Sequence, residues 1–183
     1  MSIKVSVFVA TSLDGFIARK DGSIDWLTAA NASVPDGEDF GYRDLIKTVD
    51  VVVMGRNTFE QVLTFGEWPY GEKRVVVLSS RSVGIPDGLT GTVSSSSEAP
   101  ATLIGRLSRQ GAKHLYVDGG ITIQRFLAAG LVDELTITLI PVLLGEGRPL
   151  FGPTGRDVAL VLAGTRAFEC GFVQLRYRVG KAT

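Results

Sequence analysis

The sequence predicts an α/β protein: a mixed, mostly parallel central sheet ending in an antiparallel C-terminal hairpin. Three observations carry this prediction. The segments "VVVM", "RVVVL" and "HLYVD" are apolar without polar alternation, as strands buried on both faces are. Helical patterns recur between them. The tail, "ALVLAGTRAFECGFVQLRYRV", is rich in strand formers and shows no further helix.

The elements follow in order. Ile3 to Ala10 reads as a strand, and its apolar run is too short for a signal-peptide core or a membrane span. "TSLDGFIARKDGSIDW" reads as a glycine-punctuated loop, with Asp14-Gly15 and Asp21-Gly22 as turn signals. After the polar "NASVPDGED", the spacing of Phe40, Leu45, Ile46 and Val49 predicts a helix over 38–48. Val51 to Met54 is a second strand, followed by a helix over Thr58 to Leu63. Arg74 to Leu78 is a third strand, ending in "SSRS". "SSSSEAP" reads as a loop feeding the cap of a helix over Ala99 to Gln110, which Gly111 stops. "HLYVDGG" is a strand ending in two glycines, and Thr122 to Ala129 is a helix stopped by Gly130. "DELTITLIPVLL" is a long strand interrupted by Pro141, and the tail forms two strands joined near Gly171. The chain shows no internal repeat or linker, and its 183 residues suit one domain spanning 1–183.

Composition narrows the function. Hydrophobic content of 45% and charge of 21% are ordinary for a globular protein. The formal net charge is zero and lysines and arginines do not cluster, so nucleic acid and membrane surfaces are poor partners. Cys170 is the only cysteine, which excludes an intramolecular disulfide and a cysteine metal cluster and suits a cytoplasmic location. It reads as a small core or turn residue with no electropositive neighbour to activate it. His114 is the only histidine, so a multi-histidine metal site cannot form, and no metal is expected. His114 itself reads as a surface or helix-stop residue.

Three apolar strands end in small or polar residues: "VVVMGRNT", "RVVVLSSRS" and "LYVDGG". Ligands of open α/β sheets sit beyond the carboxyl ends of strands, and helix N-termini offer unpaired N–H groups to anions. Gly55, Gly119 and Gly120 let backbone approach an anion closely. Arg56 and Arg81 add charge, and Thr58, Ser79 and Ser80 add hydroxyl donors. This inventory suits a ligand with several phosphates. Each motif alone also fits ordinary turn and cap chemistry, so the reading rests on the three sites converging.

These same segments, with "SLDGFIA" and "PVLLGEGRPLF", resemble the dihydrofolate reductase superfamily over residues 3–178. The branch they resemble holds the reductase domain of the bifunctional riboflavin-biosynthesis deaminase-reductase and its free-standing relatives. The resemblance implies a three-layer α/β/α fold and NADPH as the cofactor. Gly55, Arg56 and Thr58 match the corner that contacts cofactor phosphates. Ser79, Ser80 and Arg81 match the loop that grips the adenosine 2′-phosphate. Asp118, Gly119, Gly120, Ile121 and Thr122 match the pyrophosphate turn. Val9, Ala10 and Ile17 match the walls of the nicotinamide pocket.

On the substrate side, Asp14 to Trp26 resembles the mobile loop that closes over the nicotinamide. Asp14 is a candidate for shaping the substrate pocket, although Asp14-Gly15 is also an ordinary turn. Trp26 is either a pocket wall or a core anchor. Asp39 falls where dihydrofolate reductases carry their pterin-binding carboxylate, but the helix dipole favours an acid there in any protein. Phe40, Tyr42 and Arg43 depart from the folate pattern. Trp68 lies in a loop that borders the substrate opening in the family. The chain shows no zinc-binding deaminase segment, so the reductase module alone is expected. The resemblance implies reduction of a small pterin- or pyrimidine-type heterocycle by a homodimer paired through "LIPVLLGEGRPLF". A true dihydrofolate reductase, and a nucleotide-binding module without catalysis, are the competing readings.

Overall fold

A computed structural model describes residues 3–180. The chain begins with β1 (Lys4–Ser12), β2 (Phe16–Ala18), α1 (Asp25–Asn31) and α2 (Tyr42–Thr48). It continues with β3 (Val51–Gly55), α3 (Arg56–Leu63), β4 (Arg74–Leu78), β5 (Val93–Ser96) and α4 (Pro100–Arg109). Then come β6 (His114–Asp118), α5 (Gly120–Ala128), β7 (Glu134–Ile140), β8 (Arg148–Pro149), β9 (Leu160–Ala167) and β10 (Val173–Val179).

Eight strands form one sheet in the order β5-β4-β3-β6-β1-β7-β10-β9, while β2 and β8 pair separately. Every neighbouring pair from β5 to β7 is parallel. β10 runs antiparallel to both β7 and β9. The fold is therefore a mostly parallel mixed sheet with an antiparallel C-terminal hairpin, as the sequence predicts.

Alternation along the strands divides the core between the two faces. In β3, Val51 to Met54 are each 0% exposed. Val51 and Val53 join a cluster that includes Leu103 and Leu107 of α4 and Ile123 and Phe126 of α5. Val52 and Met54 join another, with Phe59 and Val62 of α3 and, against it, Tyr42, Leu45 and Ile46 of α2. Helices on both faces complete the three layers. A third cluster sets Trp26 of α1 against Ile140 and Phe172.

Some elements depart from the sequence reading for identifiable reasons. The glycine-punctuated loop contains β2, and α1 begins at its end; seven residues with Trp26, Leu27 and Ala30 inward are too few to show a helical period. The helix expected from 38 starts at Tyr42, because Phe40 (φ 58°) and Gly41 (φ 89°) are left-handed and cannot continue a right-handed helix. β5 hides in "VSSS": it is an edge strand with only Val93 buried, so it carries no apolar signal. Pro141 ends β7 rather than interrupting it. At the other edge, β9 leaves Leu160, Val161 and Leu162 exposed at 41%, 54% and 54%.

Candidate functional site

β3 and β6 are neighbours, yet the helices that follow them lie on opposite faces of the sheet. From β3 the chain moves outward to β4 and β5, and from β6 it crosses β1 to reach β7. Such a reversal opens the crevice in which α/β sheets bind ligands, beyond the carboxyl ends of the strands.

The first turns of α3 and α5 interlock there. A Cβ on Gly119 would overlap the Thr58 hydroxyl, and a Cβ on Gly55 would lie 3.0 Å from Thr122 Oγ1. Gly119 also has φ 87°, so this position needs glycine both for space and for conformation. A Cβ on Gly120 would come within 2.7 Å of Ile17 Cδ1, which brings β2 over the start of α5. Neither helix has a side-chain N-cap hydrogen bond. The Gly119 amide is taken by Asp118 Oδ1, but the amides that follow in the first turns of α3 and α5 have no side-chain acceptor among the described residues and suit an anion.

The remaining phosphate candidates sit close by. Ser79 begins the turn after β4: its hydroxyl donates to the Arg81 carbonyl at 2.8 Å and accepts from the Arg81 amide at 3.0 Å. Ser80 and Arg81 are exposed. Arg56, on the first turn of α3, pairs with Glu60 at 3.0 Å. Ile121 projects from α5 and is 64% exposed, whereas Thr122 is buried. Val9 and Ala10 lie near the carboxyl end of β1, paired with Ile137 and Thr138 of β7.

Asp14 is an anchor. Its Oδ1 accepts from Ser12 Oγ at 2.6 Å and the Leu144 amide at 3.2 Å, and its Oδ2 accepts from the Gly145 amide at 2.8 Å. The Ser12 hydroxyl and then the loop amides hold its carboxyl below the usual range. With the β2–β8 pairing, this ties the loop after β1 to the loop after β7. Asp39 gives both oxygens to backbone, accepting from the Gly41 and Arg43 amides at 3.0 Å each. The Arg43 amide is the largest influence lowering its pKa. Trp26 is 5% exposed in the third cluster, and Trp68 packs edge-on against Phe59 and Tyr70 at 5.9 and 5.1 Å. Both indole N–H groups are buried without an acceptor among the described residues.

Sequence reasoning overlooked the acid–base character of Asp118. It ends β6 on the same side as Tyr116, with Oδ1 accepting from the Gly119 amide at 2.7 Å. Protein crowding pushes its pKa up to about 6, against the opposing pull of the Gly119 amide and the Tyr116 phenol. Tyr42 packs edge-on to Tyr116 at 6.2 Å, and burial first, then the Asp118 charge, raise the Tyr42 pKa to about 12. The visible signal was an acid closing a period-two strand, two residues after a tyrosine.

His114 is neither a surface nor a helix-stop residue. It is 7% exposed at the opposite end of β6 from Asp118. Its Nε2 lies 2.8 Å from Ser6 Oγ and its Nδ1 3.0 Å from Thr48 Oγ1. Thr48 Oγ1 donates its proton to the Leu45 carbonyl at 2.7 Å, so Nδ1–H donates to Thr48 and Nε2 accepts from Ser6. An open groove of about 550 Å³ lies between the start of α1 and the end of α3, lined in part by Asp21, Asp25, Gln61 and Phe65. No described helix is long and apolar enough to cross a membrane.

The family model for the RibD C-terminal domain matches residues 3–174. The chain is 37% identical over 181 residues to the uncharacterized protein YwjB of Bacillus subtilis, covering 97% of this chain and 98% of that one. It is 33% identical over 129 residues to the dihydrofolate reductase HdrB of Haloferax volcanii, covering 69% and 62%. Its structure matches that of a putative riboflavin biosynthesis protein from Shewanella sp. PV-4 with a TM-score of 0.90 at 39% identity, covering 97% and 99%.

Proposed function

The chain belongs to the RibD C-terminal domain family, and on that premise we propose that it is an NADPH-dependent reductase of a small pterin- or pyrimidine-type heterocycle. A ribosylaminopyrimidine of the riboflavin-pathway type is the first substrate to consider. The observation that carries the reading is the interlock of Thr58 with Gly119 and of Thr122 with Gly55. It puts two helix N-termini side by side at a switch point, which suits the pyrophosphate of a dinucleotide.

The residues present fit that cofactor. Gly55, Gly119 and Gly120 sit where a Cβ would collide with Thr122, Thr58 and Ile17, so these glycines let the two helix starts and β2 close around one point. Their neighbouring amides hold the pyrophosphate, together with Thr58, and Ser80 and Arg81 hold the 2′-phosphate. Val9, Ala10 and Ile17 wall the ring. When bound, the nicotinamide supplies the hydride. Burial raises the Asp118 pKa to about 6, so it holds a proton below that pH and releases it above, which suits it to exchange a proton with the heterocycle in mildly acidic solution. Asp14 keeps the two site loops together. Trp26 and Trp68 serve as core anchors, their indole N–H groups buried inside the clusters.

The likeness to HdrB supports dihydrofolate as the second substrate to assay. Asp39 would then have to give up its backbone amides to reach a pterin. A homodimer joined through 139–151 belongs to the same proposal, supported by Leu143 and Phe151, which are 69% and 48% exposed. Cytoplasmic residence belongs to it too, supported by a sequence with one cysteine.

Titration with NADPH and NADH, followed by NADPH oxidation with each substrate, tests the reading. Wild type should prefer NADPH. Arg81→Ala should weaken NADPH about 10–100-fold, the worth of a charge-assisted hydrogen bond, and barely change NADH. No affinity for either dinucleotide would overturn the assignment.

A further inference from the structure

β4 and β5 end side by side at the outer edge of the sheet, and each closes in the same turn. Leu78 is the register partner of Ser96, and the Ser79 amide donates to the Ser96 carbonyl at 2.9 Å. After β4, the Ser79 hydroxyl accepts from the Arg81 amide at 3.0 Å; after β5, the Ser96 hydroxyl accepts from the Glu98 amide at 3.2 Å. The twin turns therefore present a cation at 81 and an anion at 98.

Their charges are treated differently. Arg81 is exposed and pairs with no carboxylate among the described residues. Glu98 is gripped by Arg106 from α4. Arg106 Nε and Nη2 donate to Glu98 Oε2 at 2.9 and 2.7 Å, Nε also reaches Oε1 at 3.2 Å, and Ser96 Oγ donates to Oε2 at 2.8 Å. An acid before a helix is ordinarily explained by the dipole or by capping. Here Glu98 caps nothing, since α4 has no side-chain cap hydrogen bond, and its oxygens go to Arg106 and Ser96 instead.

We propose that Arg106 is a positioning residue for cofactor specificity: by holding Glu98 in an ion pair it cancels the negative charge beside Arg81 and lets this strand end accept an extra ribose phosphate. A free carboxylate here would repel a phosphate and accept hydrogen bonds from ribose hydroxyls, the arrangement that favours the unphosphorylated dinucleotide. The inference rests on the cofactor reading above and adds the residue that decides which dinucleotide is taken.

Binding, measured by calorimetry without substrate, tests it with NADPH, NADH and adenosine 2′,5′-bisphosphate as probes. Arg106→Gln should weaken NADPH and the bisphosphate about 10-fold and leave NADH unchanged or tighter. The loss should shrink at high salt, because the groups are partly exposed. Glu98→Gln combined with Arg106→Gln should restore NADPH affinity. Equal weakening of NADPH and NADH, or failure of the double variant to recover, would overturn the proposal and leave Arg106 a brace for α4. If wild type takes neither dinucleotide, the cofactor reading falls and this inference with it. If wild type prefers NADPH and the variants leave that preference untouched, only this inference falls.

Discussion

The Thr58 hydroxyl occupies the space that a side chain on Gly119 would need, so α3 and α5 meet across the boundary between β3 and β6. Gly119→Ala therefore brings a steric overlap as well as a left-handed φ, which costs an L-residue about 1–2 kcal/mol. The variant should lose more stability than that torsional share, and adding Thr58→Ala should recover the excess. Urea denaturation of both single variants and the double variant gives the coupling. Strictly additive losses would show that the contact does not hold position 119 to glycine.

Asp118 should leave a signature in the pH dependence of stability. Its folded pKa is raised from 3.8 to about 6, chiefly by desolvation. The proton it binds stabilises the fold fully below the ordinary carboxylate range, and that contribution is lost as pH rises through about 6. Asp118→Asn should remove this decline from denaturation midpoints measured across the interval. If Asp118 supplies the proton in catalysis, the variant should also lose the fall in kcat/KM above about pH 6.

His114 works in the opposite sense. Desolvation first, and then the nearby Lys4 charge, lower its pKa, while Thr48, Glu134 and Asp50 pull it upward. A depressed histidine stabilises the fold above its unfolded pKa of about 6.5, and the contribution is lost as pH falls below it. Wild type should therefore lose stability on acidification through this range, and His114→Gln should lose less between the same two pH values. Because His114 lies at the far end of β6 from Asp118, NADPH affinity at neutral pH should be unchanged in a folded variant.

Asp14 joins two loops rather than one site. Asp14→Ala removes the acceptor shared by the Ser12 hydroxyl and the Leu144 and Gly145 amides. Limited proteolysis should then cut the segment between β1 and α1 faster, with little change in the global denaturation midpoint. Substrate KM should rise more than the dissociation constant for NADPH. An unchanged cleavage rate would mean that the β2–β8 pairing alone holds the loops.

The central strands were legible because burial on both faces forces continuous apolar runs, as in Val51 to Met54. The phosphate candidates were legible because glycine, serine and arginine cluster where those runs stop. Other features left weaker traces. Val93 to Ser96 forms hydrogen bonds with β4 while exposing most of its side chains, so its composition matches that of a loop. The break before α2 lies in the φ of Phe40, a residue whose type gives no warning of it. Glu98 and Arg106 are eight positions apart, and only the turn between them brings the charges together. Asp118 looked like part of a turn motif because its raised pKa comes from burial in the folded chain, which the local sequence does not show.

The sheet order also constrains how the polypeptide can assemble during synthesis. β1 emerges first, but both strands it pairs with come from beyond residue 113. β3, β4 and β5 can zip together well before that, because each pairs with the next to emerge. β6 must then slot between β3 and β1, which makes it the keystone joining an early half-sheet to an older, waiting strand. Pairings this remote along the chain are slow to form, so the nascent protein spends much of its time on the ribosome with a bare apolar strand for a chaperone to shield.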